Sequence, residues 1–256
     1  MSVYTEQHGR GPHLVLLHGW GMNGAVWREL ATRLEGDFCL HIVDLPGFGH
    51  SPALAAGATL ADWADSVLAA VPERAAWLGW SLGGLVATQA ALQAPTRVSA
   101  LITLASSPRF VSEAGWPGIK PEVLSGFEQQ LAEDHHQVVN RFLALQAMGS
   151  EHARDDIRRL RDSLASKPAP DPGALAAGLG LLGEVDLRTR LADLGMPLLR
   201  LYGRLDGLVP RKAAALTDDL APASHSHMEP KASHAPFISH PDATAEQIRR
   251  FLHGPR

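Results

Sequence analysis

Short runs that are apolar on both faces alternate, in the first hundred residues, with stretches whose apolar positions recur every three to four residues. The runs at 14–17 (Leu14-Val15-Leu16-Leu17), 39–43, 75–78 and 98–105 predict strands buried inside a parallel sheet. The stretches at 25–34, 60–70 and 82–92 predict helices between them. Such alternation implies an α/β architecture: a mostly parallel, twisted sheet with helices on both faces. The alternation stops at about 107. From there to about 193 no buried strand is evident. Segments 127–148 and 153–164 read as helices, Lys167-Pro168-Ala169-Pro170-Asp171-Pro172-Gly173 as a break, and 175–182 as a short, Gly-interrupted helix. Strand and helix resume at 197–202, 211–220, 224–229 and 242–252. The expected organisation is a core of residues 1–106 and 194–256 carrying a helical cap inserted at 107–193. No internal repeat or low-complexity segment interrupts it.

A chain of 256 residues is long enough to bury a sizeable core. With 45% hydrophobic and 20% charged residues, its composition is that of a water-soluble globular protein. The net charge of −4 argues against nucleic acid as the main ligand. The single cysteine, Cys39, allows no intrachain disulfide, fits a reducing compartment, and reads as a small buried hydrophobe. The first residues lack the basic and apolar regions of a signal peptide, and no apolar run reaches membrane-spanning length. A monomer in the cytoplasm is therefore expected, with no membrane partner.

The chemistry concentrates at Gly79-Trp80-Ser81-Leu82-Gly83, between a predicted strand and a predicted helix. This fits Gly-x-Ser-x-Gly, the nucleophile elbow of α/β-hydrolases. The serine needs a strained backbone there, and side chains at Gly79 and Gly83 would collide. A serine hydroxyl needs a base, and the base needs an orienting acid. In these folds they follow the serine in the order acid, then histidine. Asp206 follows the strand at 197–202, and His234 follows the one at 224–229. All three lie at carboxyl ends of strands, the edge where open α/β sheets bind ligands. The oxyanion of an acyl-transfer intermediate needs two N–H donors. Leu82, after the nucleophile, and Trp20, in the loop His18-Gly19-Trp20-Gly21, are the candidates, with the Trp20 indole lining the acyl pocket.

Other features compete with this reading. Gly19-x-Gly21-x-x-Gly24, with Asp44 ending the next strand, matches a dinucleotide fingerprint and would make the chain an NAD-dependent oxidoreductase. Against it, bulky Trp20 occupies the pyrophosphate approach, and Ser81, Asp206 and His234 are left without roles. His225 and His227 share a strand face without a third ligand nearby, so neither metal nor cofactor is expected. Arg141, Arg154, Arg158, Arg159 and Arg161 hint at an anionic partner. Glu151, Asp155, Asp156 and Asp162 intersperse them, and a solvated mixed-charge face explains the pattern on sequence grounds.

Taken whole, the chain resembles the pimeloyl-[acyl-carrier protein] methyl ester carboxylesterases of biotin synthesis. The resemblance runs through His18-Gly19-Trp20-Gly21, Val43-Asp44-Leu45-Pro46-Gly47-Phe48-Gly49, the elbow and Leu104-Ala105-Ser106-Ser107-Pro108. It continues through Trp116-Pro117-Gly118-Ile119-Lys120-Pro121, Arg141-Phe142-Leu143-Ala144-Leu145-Gln146, Leu205-Asp206-Gly207-Leu208-Val209-Pro210 and His234-Ala235-Pro236-Phe237-Ile238. The two cap segments are the most specific, because caps vary. The resemblance implies an α/β-hydrolase fold and hydrolysis of a methyl ester on a carrier-bound pimeloyl chain. It implies Ser81 as nucleophile, His234 as proton shuttle and Asp206 as its orienter, with Trp20 and Leu82 forming the oxyanion hole. Trp20, Trp80, Leu82, Phe127 and Phe142 would line the acyl channel. Arg141, Arg154 and Arg158 would grip the acyl carrier protein, while Gln137 stands where a fourth arginine is expected. The same triad also suits a broad short-chain esterase acting on small esters, or a C–C bond hydrolase. A non-catalytic small-ligand receptor is a further alternative.

Overall fold

The computed structural model describes residues 2–254. Seven strands form one sheet among the described residues: β1 (Thr5–His8), β2 (His13–Leu17), β3 (Cys39–Val43), β4 (Ala75–Trp80), β5 (Val98–Leu104), β6 (Leu198–Gly203) and β7 (His225–Glu229). Their spatial order is β1-β3-β2-β4-β5-β6-β7, with β1 antiparallel to β3 and every other pair parallel. Strands β3, β4 and β6 are buried along their whole length, as helices on both faces require. This is the architecture that alternation predicted. Strand β1 lies outside the apolar runs of the sequence. Its sequence, Thr5-Glu6-Gln7-His8, has no apolar run, because an edge strand half in solvent needs none.

The helices are α1 (Arg28–Leu34), α2 (Leu60–Leu68), α3 (Leu82–Gln93), α4 (Pro121–Leu131), α5 (His135–Ala147), α6 (Ala153–Ala165), α7 (Pro172–Glu184), α8 (Arg211–Leu220), α9 (Pro236–Ser239) and α10 (Pro241–His253). The stretch predicted to be helical at 25–34 opens as a 3₁₀ turn, Gly24–Trp27, which Asn23 caps by accepting the Ala25 N–H. Four helices, α4 to α7, lie between β5 and β6, where the buried-strand pattern lapses. The segment predicted as one helix, 127–148, is two. Asp134 stops the first and caps the second, its carboxylate accepting the Gln137 N–H at 2.9 Å. Asp171 does the same for α7, whose first helical residue is Pro172.

This helical segment is stitched to the sheet at several points. Asn23 Nδ2 donates to Leu164 O (3.1 Å) and Asp171 N to Gly47 O (2.8 Å). The strongest tie is electrostatic. Lys167, just after α6, reaches buried Asp44 at 3.0 Å and Glu6 at 2.6 Å.

Candidate active site

Ser81 stands between β4 and α3 with φ 54° and ψ −118°, a region a residue with a Cβ enters only under strain. The turn is tight enough to explain its glycines. A Cβ on Gly79 would lie 2.1 Å from Gly83 O, and one on Gly83 would lie 2.4 Å from Leu17 O. The strained peptide is held from three sides. Ser81 N donates to Leu104 O (3.0 Å), while Ser81 O accepts from Ser106 Oγ (2.8 Å) and Gly84 N (2.9 Å). Ala105, beside Ser106, is the other non-glycine residue at positive φ (45°) among the described residues. Strain is thus concentrated at the carboxyl ends of two neighbouring strands.

His234 and Asp206 arrive at the same edge from β7 and β6. The approach is close: a Cβ on Gly203 would fall 1.9 Å from Ser233 O. His234 Nδ1 lies 2.8 Å from Asp206 Oδ2, and both side chains are fully buried. The other carboxylate oxygen accepts the N–H groups of Leu208 (2.8 Å) and Val209 (3.0 Å). With both carboxylate oxygens thus engaged by donors, Nδ1 carries the proton and Nε2 is left as the basic nitrogen. Nε2 is buried and has no hydrogen-bond partner among the described residues. The histidine is fastened to the elbow through Trp80, the residue before Ser81, whose indole N–H donates to His234 O at 2.8 Å. From the other side, His234 N donates to Gln146 O (3.2 Å) on α5, and Ser233 Oγ to Met148 O (2.7 Å). The helical segment therefore helps to fix the histidine loop.

The two residues predicted to donate to the oxyanion, Leu82 and Trp20, both border the elbow. Leu82 is the first residue of α3, so its N–H has no partner within the helix. Gly19 packs so close to the elbow that a Cβ on it would sit 3.2 Å from Ser81 Cβ, which brings the Trp20 backbone alongside. Trp20 is fully buried, its indole N–H donating to Leu175 O of α7 at 2.9 Å. Its ring meets Phe142 edge-on at 4.8 Å, and Phe142 meets Phe127 at 5.8 Å. Leu82 borders the same row: the Cβ position of Gly178 would touch both Trp20 Cδ1 and Leu82 Cδ2. An apolar line thus runs from the elbow out to α5 and α4. Trp80 belongs to a second aromatic group, with Phe237 (4.9 Å), Trp27 (6.5 Å) and His234 (5.8 Å).

His18 also belongs to the site, though no motif of the sequence assigns it a role. Its Nδ1–H donates to Gly19 O (2.8 Å) and its Nε2 accepts from Leu45 N (2.9 Å). It thereby joins the Trp20 loop to the loop after β3. Burial holds its pKa down to about 4, so it is a neutral strut. Its place directly before Gly19, at the end of β2, was the available signal.

The dinucleotide reading fails on geometry. Asp44 is fully buried and accepts from Gly24 N (2.6 Å), His50 N (3.0 Å) and Lys167 Nζ (3.0 and 3.1 Å). No oxygen is left for a ribose, and a carboxylate stands where a pyrophosphate would need the Gly24 N–H. His225 and His227, on β7, belong to no group of three potential metal ligands among the described residues.

The arginines expected to grip a carrier, Arg141, Arg154 and Arg158, are exposed on α5 and α6. Arg141, on α5, donates to Gln130 Oε1 and lies over the Phe127 ring at 5.9 Å. Gln137 is exposed one turn before it. Arg154 and Arg158 lie on α6, Arg158 paired with Asp155 at 3.0 Å. Arg161 Nε reaches Asn140 Oδ1 of α5 at 3.2 Å. Arg159 instead ties α6 to the core, through Glu29 and the carbonyl of Ile238.

A serine on a strained strand-to-helix turn, facing the carboxyl edge of a parallel sheet that also delivers an Asp–His pair, defines an α/β-hydrolase-type ester hydrolase. The alpha/beta hydrolase fold model matches residues 12–241, and the chain belongs to that family. Within it, the chain is 57% identical over 253 residues to the pimeloyl-[acyl-carrier protein] methyl ester esterase of Aeromonas salmonicida, covering 98% of this chain and all of that one. It is 57% identical to the protein of the same name in Pectobacterium carotovorum, and 54% identical to that in Vibrio vulnificus, each match covering 98% of both chains. Among solved structures, an esterase from Exiguobacterium antarcticum superposes with a TM-score of 0.88 at 22% identity, over 98% of this chain and 96% of that one, a likeness of fold. No described helix is long and apolar enough to cross a membrane.

Proposed function

We propose that this chain hydrolyses the methyl ester of a pimeloyl chain carried on acyl carrier protein, releasing methanol and the free carboxylate for biotin synthesis. One observation carries the mechanism: His234, fastened to the elbow through the Trp80 indole, is bound through Nδ1 to Asp206 and keeps Nε2 buried and unpaired. Ser81 Oγ attacks the ester carbonyl carbon while His234 Nε2 takes its proton. Negative charge collects on the carbonyl oxygen, and the N–H groups of Trp20 and Leu82 receive it. The tetrahedral intermediate collapses as His234 returns the proton to the methoxy oxygen, and methanol leaves. Water repeats the sequence on the acyl-enzyme. His234 removes one of its protons, hydroxide adds to the carbonyl, and the Ser81 oxygen departs with the proton. Asp206 keeps Nδ1 protonated and stabilises the imidazolium that forms twice per cycle.

The substrate assignment rests on the relatives' names and on the surroundings of the elbow. The apolar row Trp20, Leu82, Phe142 and Phe127 suits a methylene chain, and Trp80 supports the histidine from behind. Residues 107–193 act as a cap over the core of 1–106 and 194–256. Exposed Arg141, Arg154 and Arg158 give the cap a local basic patch for an acidic carrier, with Gln137 contributing no charge. We take the chain to work as a cytoplasmic monomer.

The test is incubation with pimeloyl-carrier methyl ester, followed by mass spectrometry of the carrier. Loss of the methyl group with the wild-type protein, and none with Ser81→Ala, is the expected result. Rapid hydrolysis of small esters with the carrier-bound ester untouched would leave a general short-chain esterase in its place.

A further inference from the structure

At the opposite edge of the sheet, three soft metal-ligating side chains converge. Their convergence follows from strand register. His13 opens β2 and pairs with Cys39, the first residue of β3, while His41 stands two residues further along β3 on the same face. Gln7 of β1 pairs with His41 and completes the row. His13 Nδ1 lies 2.9 Å from His41 Nε2, and Cys39 Sγ lies 3.7 Å from the same nitrogen. All three potential donor atoms fall within 4.8 Å of one another, and this is the one group of three or more such residues among the described residues. Gln7 Nε2 donates to the sulfur at 3.2 Å. Cys39 and His41 are buried, whereas His13 and Gln7 are exposed, so the group has a dry floor and an open rim.

We propose that His13, Cys39 and His41 form a binding site for a zinc ion, separate from the ester-hydrolysing centre. A tetrahedral zinc with bonds of about 2.0–2.1 Å to nitrogen and about 2.3 Å to sulfur sets its nitrogens about 3.3 Å apart and sulfur from nitrogen about 3.6 Å. The two separations at His41, 2.9 and 3.7 Å, need adjustments of only tenths of an ångström, and the third, between His13 and Cys39, lies within 4.8 Å and closes as the exposed His13 ring turns in. One thiolate with two imidazoles is a borderline-soft set suited to that ion, and water takes the fourth position at the open rim. The histidines must bind as neutral rings, each through a ring nitrogen that carries no proton. On binding, the thiol proton goes to solvent, and the metal replaces the contact between the two imidazoles. Ser81 lies about 20 Å away, six residues further along the parallel strands at about 3.3 Å each. The site therefore bears on the β1–β3–β2 edge and not on the chemistry.

Cobalt(II), added to the full-length protein kept reduced, is the probe. One equivalent should produce a sulfur-to-cobalt charge-transfer band in the near ultraviolet together with the intense visible absorption of a four-coordinate ion. Zinc should erase both. Cys39→Ser should remove the charge-transfer band. His13→Ala, at an exposed position that leaves the fold intact, should weaken cobalt binding at least tenfold while hydrolysis of a small ester is unchanged. No charge-transfer band in the wild-type protein would overturn the assignment, and so would a band indifferent to His13→Ala.

Discussion

Asp206→Asn separates the proposed orienting role from mere presence of a polar group. The substitution keeps size and shape but replaces one oxygen by an NH₂, and every atom around the carboxylate is a donor. Oδ1 accepts two backbone N–H groups, of Leu208 and Val209, and Oδ2 accepts from His234 Nδ1. Turning the amide nitrogen toward the backbone would break two buried hydrogen bonds, at about 1–3 kcal/mol each. Turning it toward His234 conflicts with one donor, and the ring relieves that conflict by moving its proton from Nδ1 to Nε2. The variant therefore folds with histidine in the wrong tautomer, its Nε2 now a donor that accepts no proton from Ser81. To react, the ring must return to the clashing tautomer and then carry a buried positive charge with no carboxylate beside it. Together these cost about 4–5.5 kcal/mol, or about 10³–10⁴ in kcat. Steady-state hydrolysis of a short nitrophenyl ester measures kcat, and thermal melting checks the fold. A folded Asp206→Asn protein with kcat within about tenfold of wild type would refute the tautomer argument and with it the role given to Asp206.

Four further outcomes follow from the geometry. Gly79→Ala drives a Cβ to 2.1 Å from a backbone oxygen, so the elbow must open, and stability should fall by about 3 kcal/mol, read as a lower urea midpoint. His18 is held neutral with a pKa of about 4 against an ordinary 6.5, so its contribution is intact above pH 6.5 and is lost as pH falls toward 4. That loss reaches about 3 kcal/mol, and His18→Asn should show a shallower decline in urea stability over this window. Lys167→Met leaves the buried Asp44 carboxylate without its cation and should cost about 3–5 kcal/mol, visible as a drop in melting temperature. Arg154→Glu with Arg158→Glu should raise KM for the carrier-bound ester about five- to tenfold and leave a small ester unaffected, and equal effects on both would remove the docking patch.

Features encoded by local pattern were legible in the sequence, and those encoded by register were not. The buried strands could be read because parallel strands are apolar on both faces, and Gly79-Trp80-Ser81-Leu82-Gly83 could be read because sterics permit few residues in so sharp a turn. Strand β1 escaped because its stability comes from pairing with β3 and not from its own four polar residues. The break at Asp134 escaped because the apolar period runs through it, and the competing signal was a single capping aspartate. His18 and Ser106 support the site through one hydrogen bond or two each, and nothing in composition marks such bonds. Cys39 is the sharpest case. It is the small buried residue the sequence suggested, but only the β2–β3 register places His13 beside it.

Asp44 shows why a correct motif match led toward the wrong chemistry. The Gly-x-Gly-x-x-Gly pattern and a following acid are what a dinucleotide site needs, because free N–H groups at a turn attract anions. Here the same attraction is satisfied from within. The Asp44 carboxylate itself accepts the Gly24 N–H, at 2.6 Å, and Lys167 neutralises it from the helical segment. The anion that the loop is built to hold is thus a side chain of the chain, and the cation that balances it anchors the segment between β5 and β6. The turn that would have bound a cofactor instead fastens the α4–α7 segment to the sheet. The same segment meets the Ser81 edge directly, where Trp20 Nε1 donates to Leu175 O and His234 N donates to Gln146 O.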